Sequence, residues 1–99
     1  MSEIRLHVTF TTKDPAKFLE AAKQVVEATN KESGCILYSL FRELDDESGK
    51  RFAMIEAWES AEALTAHSKS DHVAKFRKDV EPYIESESDV VIKRYTRAV

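Results

Sequence analysis

Cysteine, glycine and proline are scarce in this chain, at one, two and two residues. A single cysteine, Cys35, rules out an internal disulfide and suits a reducing compartment. No linker, repeat or low-complexity stretch divides the chain. No apolar run is long enough to span a bilayer, and the N-terminus lacks one that could serve as a signal peptide. A cytoplasmic protein with no membrane partner is therefore expected. A basic surplus is missing too: lysine and arginine number 15 against 18 aspartates and glutamates, for a net charge of −3. Nucleic acid is not an expected partner, because neutralising phosphates needs a basic footprint. The one basic cluster, Lys93, Arg94 and Arg97, alternates with strand-like residues. A glycine-rich phosphate loop, a nucleophile elbow and a paired-carboxylate site are also absent. Cys35, His67 and His72 are not spaced as zinc ligands, and a helix break separates the two histidines, so no metal ligand is expected.

What is present is the composition of a soluble globular protein, 42% hydrophobic and 33% charged. The 99 residues are expected to form one domain spanning 1–99. A domain this small buries only about two-thirds of its unfolded surface, which favours pairing with a second copy.

Residues 3–11, EIRLHVTFT, alternate cleanly, with Ile4, Leu6, Val8 and Phe10 on one face and Arg5, His7, Thr9 and Thr11 on the other; this predicts a half-buried strand. Asp14 is a good N-cap and Pro15 fits the first helical position. Phe18, Leu19, Ala22, Val25, Val26 and Thr29 then form one helical stripe, and Gly34 is expected to supply a left-handed stop. CILYSLFREL reads as a second strand with two apolar faces: Cys35, Leu37 and Phe41 against Ile36, Tyr38 and Leu40. Gly49 sits where the following turn needs a positive φ. RFAMIEAWE reads as a third strand, with Phe52, Met54, Glu56 and Trp58 facing one way and Ala53, Ile55 and Ala57 the other. Ser60 can cap a short helix, and Ser70 or Asp71 can cap another whose stripe is Val73, Phe76, Val80 and Tyr83. Pro82 and the acidic ESESD end it, and VVIKRYTR closes the chain as a strand. The order β-α-β-β-α-β, with its last helix split, predicts an α+β, ferredoxin-like antiparallel sheet with helices on one face.

Helices on one face leave the other to water, yet strands two and three lack a polar face. A homodimer in which two sheets meet resolves this, with Ala53, Ala57 and Ser39 allowing close approach. The alternative is that the stems of Arg42 and Arg94 shield that face.

Three polar groups stand out. Glu56 shares its face with Met54 and Trp58, so a helical cover would desolvate its carboxyl and make it a usable base or acid; an ordinary salt bridge is the competing reading. Trp58 ends its strand, where its flat face could meet a planar ligand and its indole N–H an oxygen, though a core tryptophan is the commoner case. His67, three positions after Leu64, faces inward and could shuttle a proton, or could simply sit beside the negative end of its helix. His72 starts the next helix and is read as structural or ligand-facing. Tyr38 and Cys35 are core by default, and His7 lies on the polar side of strand one.

The stretches ESGCILYSL and FAMIEAWESAEALTAHSKSDHVAKF carry a resemblance. The pattern Glu32-x-Gly34-Cys35-x-x-Tyr38, then Glu56-x-Trp58, Ala63-Leu64, Ala66-His67, Ser70, His72 and Phe76, resembles the antibiotic biosynthesis monooxygenase family, and more closely its small quinol-monooxygenase-like members. The resemblance implies a dimeric α/β barrel with a pocket between sheet and helices in each subunit. It also implies oxidation of hydroquinones or anthrone-like polycyclic phenols by O2, without metal, flavin or other cofactor. Carried onto this chain, it implies Trp58, His67 and Glu56 as catalytic residues. Trp58 would stack on the substrate or bond its oxygen, and Glu56 or His67 would move the proton. Tyr38, His72, Met54 and Phe76 would line the substrate. Relatives that cleave haem rely on an asparagine beside the tryptophan; the sole asparagine here, Asn30, lies late in the first helix, which argues against that reaction. Two rival readings share the scaffold: an isomerase or signal-processing enzyme, and a non-catalytic small-molecule-binding dimer.

Overall fold

The computed structural model describes residues 3–99. Its elements run in the expected order: β1 (Ile4–Thr11), α1 (Pro15–Thr29), β2 (Cys35–Arg42), β3 (Arg51–Trp58), α2 (Ala61–Ser68), α3 (Asp71–Val80) and β4 (Val90–Thr96), with 3₁₀ turns at Glu81–Tyr83 and Glu87–Asp89. The four strands form one antiparallel sheet ordered β2-β3-β1-β4. This is the α+β, ferredoxin-like arrangement. No helix among the described residues is long and apolar enough to cross a membrane.

Local chemistry explains the helix starts. Asp14 Oδ1 accepts the Lys17 N–H at 3.1 Å, and Pro15 occupies the first turn. Ser60 Oγ caps α2 through Ala63 N–H at 3.1 Å, and Ser70 Oγ caps α3 through Val73 N–H at 3.3 Å. Gly49 has φ of +70°, as its turn requires.

Gly34 corrects an expectation. It is not the left-handed stop of α1, since Gly49 alone has positive φ among the described residues. Asn30 ends the helix instead, its side-chain amide donating to Val26 O at 2.8 Å and Tyr38 O at 3.0 Å, so the cap also ties α1 to β2. Glycine is needed at 34 for space: a Cβ there would lie 2.3 Å from the Ala63 Cβ of α2.

The buried layer joins Leu6, Val8 and Phe10 of β1, Phe52, Met54 and Trp58 of β3, Phe18, Ala22 and Val25 of α1, and Val73, Phe76 and Val80 of α3. Phe18 is its hub, with ring centroids 5.1 Å from Phe10, 5.3 Å from Phe52 and 5.9 Å from Phe76. On α1 the stripe sits slightly round from the expected one: Ala21 is buried, while Leu19 is 36% exposed. β2 departs more. Its pairing with β3 slips between Cys35 and Leu37, so Cys35 opposes Trp58 and Tyr38 opposes Glu56. That extra residue turns both Cys35 and Tyr38 toward the helices and leaves Ile36 half exposed, where strict alternation had opposed them.

The sheet's other face carries Leu37, Ser39 and Phe41 of β2, Ala53, Ile55 and Ala57 of β3, and Val91 and Tyr95 of β4. Phe41, Val91 and Tyr95 are exposed there. Neither arginine expected as a shield reaches it. The Arg42 guanidinium sits 4.8 Å over the Phe52 ring, and Arg94 pairs with Leu6, both on the helix side.

Candidate active site

Between the sheet and α2–α3 lies a cavity of about 370 Å³. That is within the range of small-molecule sites. Its apolar walls include Leu6, Val8, Phe10, Met54, Phe76 and Ile92. Its inner polar groups are Tyr38, Glu56 and His67, each buried, while the exposed Ser68, Arg77 and Glu81 stand at the mouth.

Strand register sets the inner cluster. Glu56 lies on β3, flanked by its cross-strand partners Tyr38 on β2 and Leu6 on β1. All three side chains share the helix-covered face because the period of a strand is two. Glu56 is 4% exposed and makes no ion pair among the described residues. Among the described residues its one side-chain hydrogen bond comes from the Trp58 indole, Nε1–H to Oε1 at 3.0 Å. Burial pushes the Glu56 carboxyl up to about 7; the indole bond pulls it down, and the charge of Glu32 raises it further. A carboxyl in this setting exchanges protons near neutral pH. Burial, with the charges of Glu56 and Glu32, also holds the Tyr38 phenol well above the ordinary range, so it is a hydrogen-bond donor. Burial, then Glu32 and Glu56, raises the Cys35 thiol as well, which leaves it a poor nucleophile.

His67 projects from α2 with 6% exposure. Burial lowers its pKa, against the raising effect of a hydrogen bond to Glu32. Its Nδ1 lies 2.8 Å from Glu32 Oε2, and the same oxygen lies 2.7 Å from His72 Nε2. An ionised carboxylate only accepts, so His67 carries its proton on Nδ1. The ring sits 4.5 Å from the Trp58 centroid and 5.2 Å from that of Tyr38.

Five of the seven expected site residues line the cavity: Glu56, His67, Tyr38, Met54 and Phe76. Two do not. Trp58 is fully buried, with its N–H committed to Glu56, so the flat face expected to stack on a ligand is closed off by Tyr38 and His67. It backs the site and positions Glu56. His72 is held outside the cavity wall by Glu32. Glu32 itself received no role from the sequence. The only signal was its place at the head of the Glu32-x-Gly34-Cys35 pattern, because the partners it joins are 35 and 40 residues away.

The split-βαβ sheet thus holds an apolar-walled cavity of small-molecule size with one carboxyl of raised pKa in its wall. Comparison with known proteins makes the assignment specific. The profile of the antibiotic biosynthesis monooxygenase family matches residues 4–79. A conserved protein of unknown function from Bacteroides thetaiotaomicron, described as a possible oxidoreductase, is 30% identical over 97% of this chain and 98% of its own, with a TM-score of 0.85. A conserved protein from Methanosarcina mazei is 28% identical over 96% of this chain and 92% of its own, at 0.84. A Nitrosomonas europaea protein described provisionally as an antibiotic biosynthesis monooxygenase covers 97% and 99% at a TM-score of 0.87; its 20% identity shows the fold alone. Among curated proteins, none matches significantly. The chain belongs to the antibiotic biosynthesis monooxygenase family.

Proposed function

We propose that the protein is a cofactor-independent monooxygenase that oxidises a hydroquinone or polycyclic phenol with O2. The observation that carries this reading is Glu56, a buried carboxyl of pKa about 7 facing a largely apolar cavity. A phenol or an activated ring CH2 needs a base before it reacts with O2. Its anion is electron-rich enough to pass an electron to O2 directly, so the protein has four tasks: bind the ring, take the proton, hold the oxyanion and exclude water.

The geometry supports one set of roles. Ionised Glu56 accepts the substrate proton, with His67 as a second acceptor through Nε2, which makes no hydrogen bond among the described residues. Tyr38, which stays protonated, donates to the developing oxyanion. Met54 and Phe76 hold the ring, and Trp58 steadies the carboxylate. After electron transfer, O2 and the substrate radical combine as a peroxide. For a ring CH2, the sum is CH2 + O2 giving C=O + H2O; for a hydroquinone, it is a hydroxyquinone and water.

The unit proposed to act is a cytoplasmic homodimer. Its support is the uncovered sheet face, where Phe41 and Tyr95 are 49% and 46% exposed in line with the small Ala53 and Ala57, and from which Arg42 and Arg94 are turned away. Sedimentation of the untagged protein tests this, and a monomer at micromolar concentration refutes it.

Oxygen uptake with a panel of hydroquinones and anthrones tests the activity. Turnover lost in Glu56→Gln supports the reading. Flat aromatics that bind without any uptake point instead to a binding module.

A further inference from the structure

We propose that Glu32, His67 and His72 form a binding site for a divalent transition-metal ion of the zinc type, which shares His67 with the cavity but uses the Nδ1 edge of its ring. One imidazole nitrogen from α2, one from α3 and a carboxylate from the turn after α1 converge, all three donor atoms lying within 4.8 Å of one another. Two histidines and one carboxylate are a donor set suited to Zn²⁺, Co²⁺ or Fe²⁺, with the remaining positions open to water.

The backbone fixes the donors in place. Ser70 Oγ donates to His67 O at 2.7 Å and accepts the Val73 N–H at 3.3 Å, so one hydroxyl locks the end of α2 to the first turn of α3 and sets the distance between the imidazoles. The rings are 6.0 Å apart and tilted by 56°, so they meet edgewise with their nitrogens turned to a shared point. At that point Glu32 Oε2 contacts both, at 2.8 and 2.7 Å. Glu32 Oε1 makes no hydrogen bond among the described residues, so the carboxylate can swing. Metal–ligand bonds of roughly 2.1 Å at tetrahedral angles put donors roughly 3.4 Å apart. The carboxylate oxygen therefore has to retreat by about 0.6 Å, and the two imidazole nitrogens, which lie within 4.8 Å of each other, have to close in by up to about 1.4 Å, a movement of the partly exposed side chains of Glu32 and His72. Entry is open, since the Glu32 and His72 side chains are 19% and 27% exposed.

Occupancy has a consequence inside the fold. With Glu32 as acceptor, His67 holds its proton on Nδ1 and has a free lone pair on Nε2. A metal on Nδ1 moves the proton to Nε2, which turns the unbonded edge of the ring from acceptor into donor.

The test is a titration of untagged, chelator-stripped protein with Co²⁺ and then Zn²⁺, with histidine nitrogens followed by ¹⁵N NMR. The expected result is one ion per chain, a visible tetrahedral Co²⁺ band displaced by Zn²⁺, and transfer of the His67 proton from Nδ1 to Nε2. Tm should rise by roughly 10–20 °C at a hundredfold excess over Kd. His72→Ala and Glu32→Gln should each weaken binding at least about tenfold. His7→Ala, on the far face of the sheet, should not. No saturable binding overturns the proposal, as does binding that survives both substitutions or an unmoved His67 proton. None of these readouts depends on turnover, so the site stands or falls separately from the proposed oxidation.

Discussion

Replacing Trp58 by phenylalanine removes one donor and little else of the polar framework, so it isolates what the indole does for Glu56. The N–H···Oε1 bond at 3.0 Å is the interaction that pulls the Glu56 carboxyl down from where burial alone would put it. A hydrogen bond to a charged group contributes about 1.5–3 kcal/mol, and 1.36 kcal/mol is one pH unit, so its loss should raise the Glu56 pKa by about 1–2 units above its present value near 7. The smaller ring also leaves a void beside His67, which should cost on the order of 1–3 kcal/mol of stability. Carbon-13 NMR of the Glu56 carboxyl, in protein shown to be folded by circular dichroism, reads the pKa directly. The acid limb of the oxygen-uptake profile should move by the same amount. A carboxyl that titrates unchanged in the variant would refute the claim that Trp58 sets its proton affinity.

Three further outcomes follow from the same geometry. Glu56 is raised from an ordinary 4.5 to about 7, so between those values the folded state holds a proton that the unfolded state has lost. Stability should therefore fall as pH rises across that window, by about 3 kcal/mol in all, and Glu56→Gln should be more stable than the parent at pH 8 by thermal melts. His67 has the opposite sign. Its lowered pKa contributes stability that is present above pH 6.5 and lost as pH falls through the folded value, so His67→Gln should flatten the acid side of the melting profile. Gly34→Ala should destabilise by about 1–3 kcal/mol or more in urea, because the new Cβ falls 2.3 Å from Ala63 Cβ, and Ala63→Gly on the same chain should restore most of it. Additive losses would mean that the two backbones do not meet there.

The strands of this fold were legible where a simple period governs. β1 and β3 alternate without interruption, so every residue of Phe52, Met54, Glu56 and Trp58 falls on the face the sequence assigns. Capping by Asp14 and Ser60 was equally plain, since a side-chain oxygen beside a helix start has few other uses. β2 was harder because its bulge adds one residue within an almost wholly apolar stretch. Either parity of CILYSLF looks the same in one dimension, and only pairing with β3 puts Cys35 and Tyr38 on one side.

The site was legible in part for the same reason. Glu56 could be found from its apolar strand neighbours, and His67 from its place three positions after Leu64 on a short helix. Accessibility could not be found that way. Whether Trp58 roofs a cavity or backs it depends on Tyr38 and His67, which arrive from other elements. The Glu32–His67–His72 cluster was hidden for a further reason. Its parts come from a turn and two helices, and their sequence separations resemble no ligand motif; the Ser70 link sets α2 against α3, and the packed fold brings Glu32 to both histidines.

The most direct measurement is the pH profile of oxygen consumption, with chelator present, for the parent protein and Glu56→Gln on the best substrate from a hydroquinone and anthrone panel. The parent should consume one O2 per substrate, with activity rising through an acid limb near pH 7, and the variant should lose about 10²–10⁴-fold on the plateau above that limb, with the gap narrowing below it. Equal turnover by the two proteins, or a profile without that limb, would contradict the assignment of Glu56 as the proton acceptor.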